Sequence, residues 1–331
     1  MNRKNIDLTS SASLIFAPIL MVAYLYFMGP MSPIEMQQSD VVTSVLAKDL
    51  ITFQQYSPII AMIITTLLIT LGAMLNVMVT TRYDLFGTAS QLPLFLYVCF
   101  VVGFASSQDM LSPAIAACVG IFSLRDFFRT YESTSRTSKL FTGCFWMGIL
   151  PMLYPATITL WVAAFIFMII FVRSLREIAV VICGLALPFS LYTYAKWLLG
   201  TELEPQIMEF ANSIITSYSY SPELWNSRII YRASLASLAG ALILVSLMQV
   251  EIMSIRFVAR TRLRCALILT GLGALMTLLP SFNVESFTAI AAPLSIAVTP
   301  AMMRMRAAIT IPIFIAIALL AVCFLLPILG L

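Results

Sequence analysis

The chain contains no histidine. That absence removes histidine-ligated metals, a Ser-His-Asp triad and a histidine proton relay together. Any acid–base chemistry therefore falls to Asp, Glu, Lys or Tyr. Charge is scarce too: only 10% of the 331 residues are Asp, Glu, Lys or Arg, and a soluble domain of this size needs more polar surface than that. The six cysteines (Cys99, Cys118, Cys144, Cys183, Cys265 and Cys323) are scattered singly through apolar segments, with no CxxC pair. They read as small core residues, not as a disulfide framework or a zinc site. No polar stretch is long enough to hold a soluble domain, and nothing in the sequence points to nucleic acid.

What the chain has is apolar sequence. Hydrophobic residues make up 61% of it, and the mean hydropathy is +0.98. Apolar segments recur at 12–28, 58–79, 91–107, 113–124, 140–154, 156–172, 177–199, 229–250, 265–281, 285–301 and 307–328. This is the pattern of an all-α, polytopic membrane protein with about eleven transmembrane helices. Arg3 and Lys4 precede the first segment, but no small-x-small cleavage site follows it, so it reads as a retained span. The weakest segment, Pro113 to Leu124, is counted as a span, with half of a re-entrant pair with the segment before it as the alternative.

Charge sets the orientation. With the N-terminus inside, the inner loops hold Arg3, Lys4, Arg82, Arg125, Arg129, Arg136, Lys139, Arg173, Arg176, Arg256, Arg260, Arg262, Arg264, Arg304 and Arg306. Only Lys48, Lys196, Arg228 and Arg232 of the 19 basic residues fall outside. Cytoplasmic loops carry such an excess, so the N-terminus is expected inside and the C-terminus outside. The acidic residues lean the other way: Glu35, Asp40, Asp49, Asp109, Glu202, Glu204, Glu209, Glu223 and Glu285 are outer.

Two outer segments carry helical periodicity. In 34–53, Val41, Val42, Val45, Leu46, Leu50 and Phe53 recur on one side. In 203–218, Leu203, Ile207, Phe210, Ala211, Ile214, Ile215 and Tyr218 form a stripe. Both read as amphipathic helices lying flat on the outer face. Their few basic residues argue against a grip on anionic lipid, so packing against the protein's own outer rim is expected.

The outer face also gathers the residues that suit chemistry. Glu35 and Asp40 follow the first span, Asp109 sits in the turn SSQDMLSP, and Lys196 ends the seventh span in YTYAKWLLG. Arg228 and Arg232, in WNSRIIYRAS, lie one helical turn apart and share a face. Carboxylates rimmed by cations suit transfer from a lipid phosphate: Glu35, Asp40 or Asp109 would take a proton from the acceptor, while Lys196, Arg228 and Arg232 steady the phosphate. The plainer reading is interfacial anchoring, in which the two arginines snorkel beside Trp197, Trp225 and Tyr231. A divalent metal is compatible with these carboxylates, though the sequence does not require one. Glu285 opens the tenth span, and Glu251 ends the eighth beside Arg256. Pro18, Pro151, Pro155, Pro188, Pro293, Pro300 and Pro312 interrupt spans and read as kinks.

This layout resembles the GT-C superfamily of membrane glycosyltransferases, which use polyprenyl-phosphate-linked sugars. In that superfamily a long outer loop with flat helices and an early acidic residue follows the first span. Further acids come from the outer turn between the third and fourth spans, and seven N-terminal spans form a shared module. Here SPIEMQQSD supplies Glu35 and Asp40, and SSQDM supplies Asp109. The resemblance implies a seven-span module over residues 1–200, with an outer interfacial helix and four further spans over 201–331. Neither a distinct acid pair nor a sizeable soluble outer domain accompanies it. The stretches QLPLFLYVCFVVGFASSQDMLSPAIAACVGIFSLRDFF, KLFTGCFWMGILPMLYP and VRSLREIAVVICGLALPFSLY also resemble a polytopic inner-membrane family of Bacteroidota. That second resemblance implies a bacterial cytoplasmic membrane and no particular activity.

Three functions fit these features. The first is a GT-C-like protein of envelope glycan biogenesis that transfers sugar from a polyprenyl-phosphate donor at the outer face. The second is a non-catalytic subunit or assembly factor with a membrane-protein partner. The third is a transporter or lipid flippase, against which the scarcity of mid-membrane charge counts.

Overall fold

The computed structural model describes residues 44–87, 90–104, 110–130, 136–171, 175–218, 257–279 and 282–304. Every regular element among these is helical. Helix α1 spans Val45–Tyr56, α2 Pro58–Arg82, α3 Leu92–Phe104 and α4 Leu111–Thr130. Helix α5 spans Arg136–Leu153, and α6, Trp161–Phe171, follows a 3₁₀ turn at Pro155–Leu160. Then come α7, Leu175–Leu198, α8, Leu203–Tyr218, and α9, Phe257–Met276. A second 3₁₀ turn, Val284–Ile290, leads into α10, Ala291–Arg304.

Three of these helices are long and apolar enough to cross a membrane: Pro58–Arg82, Leu111–Thr130 and Arg176–Leu198. Leu92–Phe104 and Pro155–Ile169 are apolar but shorter.

Local chemistry places the breaks. The residue before a proline is pushed out of the α region. Ser57, before Pro58, sits at φ −142°, ψ 70° and separates α1 from α2. Tyr154, before Pro155, sits at φ −130°, ψ 108° and ends α5. Helix α7 closes in a Schellman motif: the Thr201 amide reaches the Lys196 carbonyl (3.1 Å) and the Gly200 amide reaches Trp197 (2.9 Å). Gly200 holds φ +91°, which its missing Cβ permits.

The packing centres on α4. It is buried over most of its surface and touches α1, α2, α5, α10 and the second 3₁₀ turn. The segment 113–124, expected as the weakest span or as half of a re-entrant pair, lies within one continuous helix over 111–130, the least apolar of the three long helices. Its serines, Asp126 and Thr130 depress its hydropathy, yet Ser123 donates to the Gly143 carbonyl (3.0 Å) and Thr130 to that of Asp126 (3.0 Å). A helix surrounded by helices meets its polar groups internally and needs no lipid-compatible face.

Helix α2 has two faces. Ala61, Thr65, Ile69, Ala73, Asn76 and Thr80 are buried, whereas Ile59, Ile63, Leu67, Leu71, Met74 and Met78 are exposed. The exposed side of a water-soluble helix is polar; this one is uniformly apolar, as lipid contact requires. Helix α7 similarly exposes Ile182, Leu191, Tyr194 and Trp197.

Two ends of the bundle can be told apart. At one, Tyr83 after α2, Phe128 of α4 and Arg262 of α9 meet: the two rings pack edge to face at 5.9 Å, and the guanidinium lies 4.2 Å from the Tyr83 ring centroid. At the other, α1 and α8 lie against the end of α7 and the start of α4.

The two helices expected at the outer face differ from the sequence reading, one in extent and the other in packing. Helix α1 begins at Val45 after an extended Ser44 (φ −85°, ψ 172°) and runs past 53 to Tyr56; the 34–43 part of the expected helix lies outside the described residues. Helix α8 occupies 203–218, but its apolar stripe is not packed on the protein throughout. Gln206, Phe210 and Ser213 face the bundle, with Phe189 stacked on Phe210 at 4.3 Å, while Ile207, Met208 and Ile215 are exposed. The apolar arc is wider than the contact, so about half of it faces outward, as on an interfacial helix.

Candidate functional site

The charged side chains at the α1–α8 end pair with one another across the fold. Lys48 and Asp49 are neighbours on α1 and point to different partners. Lys48 forms an ion pair with Glu209 of α8. Asp49 accepts from Lys196 of α7, whose Nζ lies 2.9 Å from Oδ1 and 2.7 Å from Oδ2. The hydroxyl of Tyr192, one turn earlier on α7, donates to Oδ2 at 2.8 Å. The Lys196 ammonium also sits 5.7 Å from the Tyr192 ring centroid. Gln54, a turn and a half further along α1, accepts from the Met110 amide at the start of α4 (3.2 Å). Helix α1 is thus fastened to α4, α7 and α8 by polar contacts, and Lys48, Asp49, Lys196 and Glu209 sum to zero charge.

A second polar group lies where the two 3₁₀ turns meet. Glu285 is 9% exposed. Its Oε2 accepts from Asn283 Nδ2 (3.0 Å) and from the Tyr154 hydroxyl (3.4 Å), while its own amide donates to Asn283 Oδ1 (3.3 Å). Asn283 acts as an N-cap, and Ser286 and Thr288 return their hydroxyls to the backbone of the same turn. The turn is pressed on α4: a Cβ at Gly120 would stand 2.2 Å from the Ala289 carbonyl oxygen. Both breaks follow from a capping or pre-proline residue, and together they set a carboxylate, a phenol and an amide at a buried junction. A carboxylate so placed can accept a proton from a hydroxyl brought to it.

Of the carboxylates and cations expected to carry the transfer, Lys196 alone is among the described residues, together with Glu285, which the sequence marks as an acid opening the tenth span. Glu35, Asp40, Asp109, Arg228 and Arg232 lie outside the described residues. The carboxylate at Lys196 is Asp49, so a phosphate reaching this ammonium must displace Asp49 or draw it along. Asp49, Tyr192 and Tyr154 were not singled out by sequence reasoning. The available signal for Asp49 was the scarcity of outer cations, which leaves few partners for an adjacent Lys-Asp pair. Among the described residues, no group of three His, Cys, Asp or Glu side chains stands ready to hold a metal ion.

No family model matches the chain, and no curated protein or solved structure matches it.

Proposed function

We propose that the chain is a multi-pass protein of a bacterial cytoplasmic membrane, with eleven spans, its N-terminus inside, and its working face at the α1–α8 end on the outer side. The distribution of charge supports this orientation. Arg82, Arg125, Arg129, Arg176, Arg260, Arg262 and Arg264 belong by helix position to the Tyr83 end, and Lys48 and Lys196 to the other; basic residues are enriched on the cytoplasmic side.

For activity, we propose a GT-C-like role in envelope glycan biogenesis, with transfer of sugar from a polyprenyl-phosphate donor at the outer face. The observation that carries this reading is Glu285: an acid buried in an apolar bundle, at a helix break, clasped by Tyr154 and Asn283. An ionisable residue buried within an apolar helical bundle is a functional-site candidate by default. In this reading Glu285 joins Glu35, Asp40 and Asp109 as a carboxylate of the site, and Arg228 and Arg232 meet the phosphate.

A second reading, a non-catalytic subunit of an envelope complex, is favoured by the Asp49–Lys196 pair. The one described cation proposed to grip phosphate is already held by the chain's own carboxylate, as in a structural fastening.

One experiment separates the two. The full chain, reconstituted in nanodiscs, is given a radiolabelled short-chain polyprenyl-phosphate hexose, with and without divalent metal. Release or transfer of sugar that Glu285→Gln abolishes, at unchanged expression and melting temperature, supports the transferase. If the wild type neither binds nor turns over the probe, that reading is dropped, and crosslinking for a membrane partner tests the second. Impermeant maleimide labelling of Lys48→Cys in intact cells checks the orientation, since only an outer position 48 reacts.

A further inference from the structure

Helix α4 reaches the surface along a single stripe. Of its 20 residues, only Ile115, Phe122, Arg125 and Arg129 are not buried. Their spacing of i, i+7, i+10 and i+14 sets them on one face. Helix α5 runs antiparallel beside it: Ser123 donates to the Gly143 carbonyl (3.0 Å), and Phe122 stacks on Trp146 at 5.0 Å. On α5, Lys139, Trp146 and Ile149 are half-buried and share a face at i, i+7 and i+10. The two stripes therefore lie side by side. The register of those contacts puts Arg129 and Lys139 at one level, near the Tyr83 end. Arg125 lies a turn further in, then the Phe122–Trp146 pair, then Ile149 and Ile115. The ten positions from Arg125 to Ile115 cover roughly 15 Å.

The charge on this face is positive. Its carboxylate, Asp126, is buried beneath the cations and shared between two of them: Oδ1 accepts from Arg125 Nε (3.3 Å) and stands 3.8 Å from a terminal nitrogen of Arg129. Lys139 has no carboxylate partner among the described residues. Glu177 does not supply one, since it belongs to α7, which packs on α5 where Gly184 meets Cys144. Cys144 and Trp146 are two positions apart and so face nearly opposite ways. The Arg125 guanidinium lies 5.1 Å from the Phe122 ring centroid, on the rim of the aromatic pair. With Nε turned to Asp126, its two terminal nitrogens remain for an anion from outside.

Cations at one end of a membrane bundle are what the positive-inside rule requires. Here they also cap an aromatic and then aliphatic strip, on a helix that is otherwise enclosed. Charge, ring and aliphatic chain thus follow in the order of a phospholipid's own parts. We propose that the α4–α5 face binds one anionic phospholipid. Its phosphate is held by Arg125, Arg129 and Lys139, and an acyl chain lies along Phe122, Trp146 and Ile149. Guanidinium forks match phosphate oxygens, and basic sites between cytoplasmic helix ends take such head groups. The site rests on the membrane reading of the bundle and not on the transferase, which concerns the opposite end.

Quenching by brominated lipid tests it, because bromine on an acyl chain quenches a tryptophan only at close range. The full chain is placed in phosphatidylcholine nanodiscs containing graded amounts of brominated phosphatidylglycerol or brominated phosphatidylcholine. The signal is the part of the emission that Trp146→Phe removes. Phosphatidylglycerol should quench it at a several-fold lower mole fraction than phosphatidylcholine does. Arg125→Gln should abolish most of that preference, whereas Arg82→Gln, which removes an exposed cation at the same end, should leave it unchanged. If Arg125→Gln does not fold, Lys139→Gln serves, being half-buried in the first turn of α5. Equal quenching by the two lipids, or an equal loss in Arg82→Gln, overturns the site and leaves an ordinary lipid boundary. Relief of quenching by soluble glycerol phosphate overturns the lipid assignment in favour of a free phosphate. A chain that does not enter the nanodiscs overturns the membrane reading and the site with it.

Discussion

The ammonium of Lys196 rests between the two carboxylate oxygens of Asp49, 2.9 and 2.7 Å away, although 147 positions separate the residues in sequence. This contact joins the last turn of a helix long and apolar enough to cross a membrane to a short helix at the end of the bundle. Both side chains are partly exposed, so solvent screens the pair, and such pairs are worth about 0–1 kcal/mol. Asp49→Asn and Lys196→Met should each lower stability by no more than about 1 kcal/mol. The exchange Asp49→Lys with Lys196→Asp should recover most of what either reversal alone loses. Melting curves in detergent, read as a double-mutant cycle, check this, and high salt should shrink the coupling.

Gly120 is a harder constraint. A side chain there meets a main-chain carbonyl at 2.2 Å, which cannot swing aside as the end of a flexible side chain does. Gly120→Ala must push the 284–290 turn off α4, at a cost of about 3 kcal/mol. Gly271, whose Cβ would enter open space, serves as the control: Gly271→Ala should be neutral or stabilising by up to about 1 kcal/mol through helix propensity. Melting temperatures of the two variants, compared in one detergent, give the contrast directly.

Much of the helical framework was legible because it is local. The apolar run over 58–79 announces α2, the Pro58 start and Arg82 end bracket it, and the stripe over 203–218 delimits α8 without error. Burial was not legible. Hydropathy counts Ser112, Ser123, Asp126 and Thr130 as penalties, so α4 reads as the weakest segment although it is the most enclosed of the three long apolar helices. A serine bonded to Gly143 and a serine facing lipid are the same letter. The charged cluster was hidden for the same reason: periodicity places Asp49 on a face of α1, but only tertiary packing brings α7 there. Glu285 was visible as an acid at a span's start, whereas its burial depends on Tyr154, far away in the chain.

The two faces of α2 predict an inversion of the rule for soluble proteins. Leu67 is exposed and near the helix centre, while Thr65 is buried and returns its hydroxyl to the Ala61 carbonyl (2.8 Å). Leu67→Asp should block membrane insertion, since aspartate at a span centre costs about 3 kcal/mol. Thr65→Val should be tolerated within about 1 kcal/mol, because the lost bond is internal to the helix. Yield of membrane-integrated protein, normalised to synthesis, measures both. Nitroxides at Ile63, Leu67, Leu71, Met74 and Met78 should respond to oxygen far more than to a water-soluble nickel chelate.

The Glu285 junction allows structure and chemistry to be separated by choice of substitution. Glu285→Leu removes the acceptor and leaves the Asn283 amide and the Tyr154 hydroxyl to be met some other way. Stranding buried donors costs about 1–3 kcal/mol each, so this variant should melt well below the wild type. Adding Tyr154→Phe removes one stranded donor, and the double variant should therefore be more stable than Glu285→Leu alone. Glu285→Gln keeps an oxygen for the same two donors but loses the charge and the capacity to take a proton. Its stability should stay within about 1.5 kcal/mol of the wild type. A purely structural Glu285 then predicts that Glu285→Gln behaves like the wild type in every assay. A carboxylate that takes part in chemistry predicts an intact fold with lost turnover, and the two outcomes are read from the same purified protein.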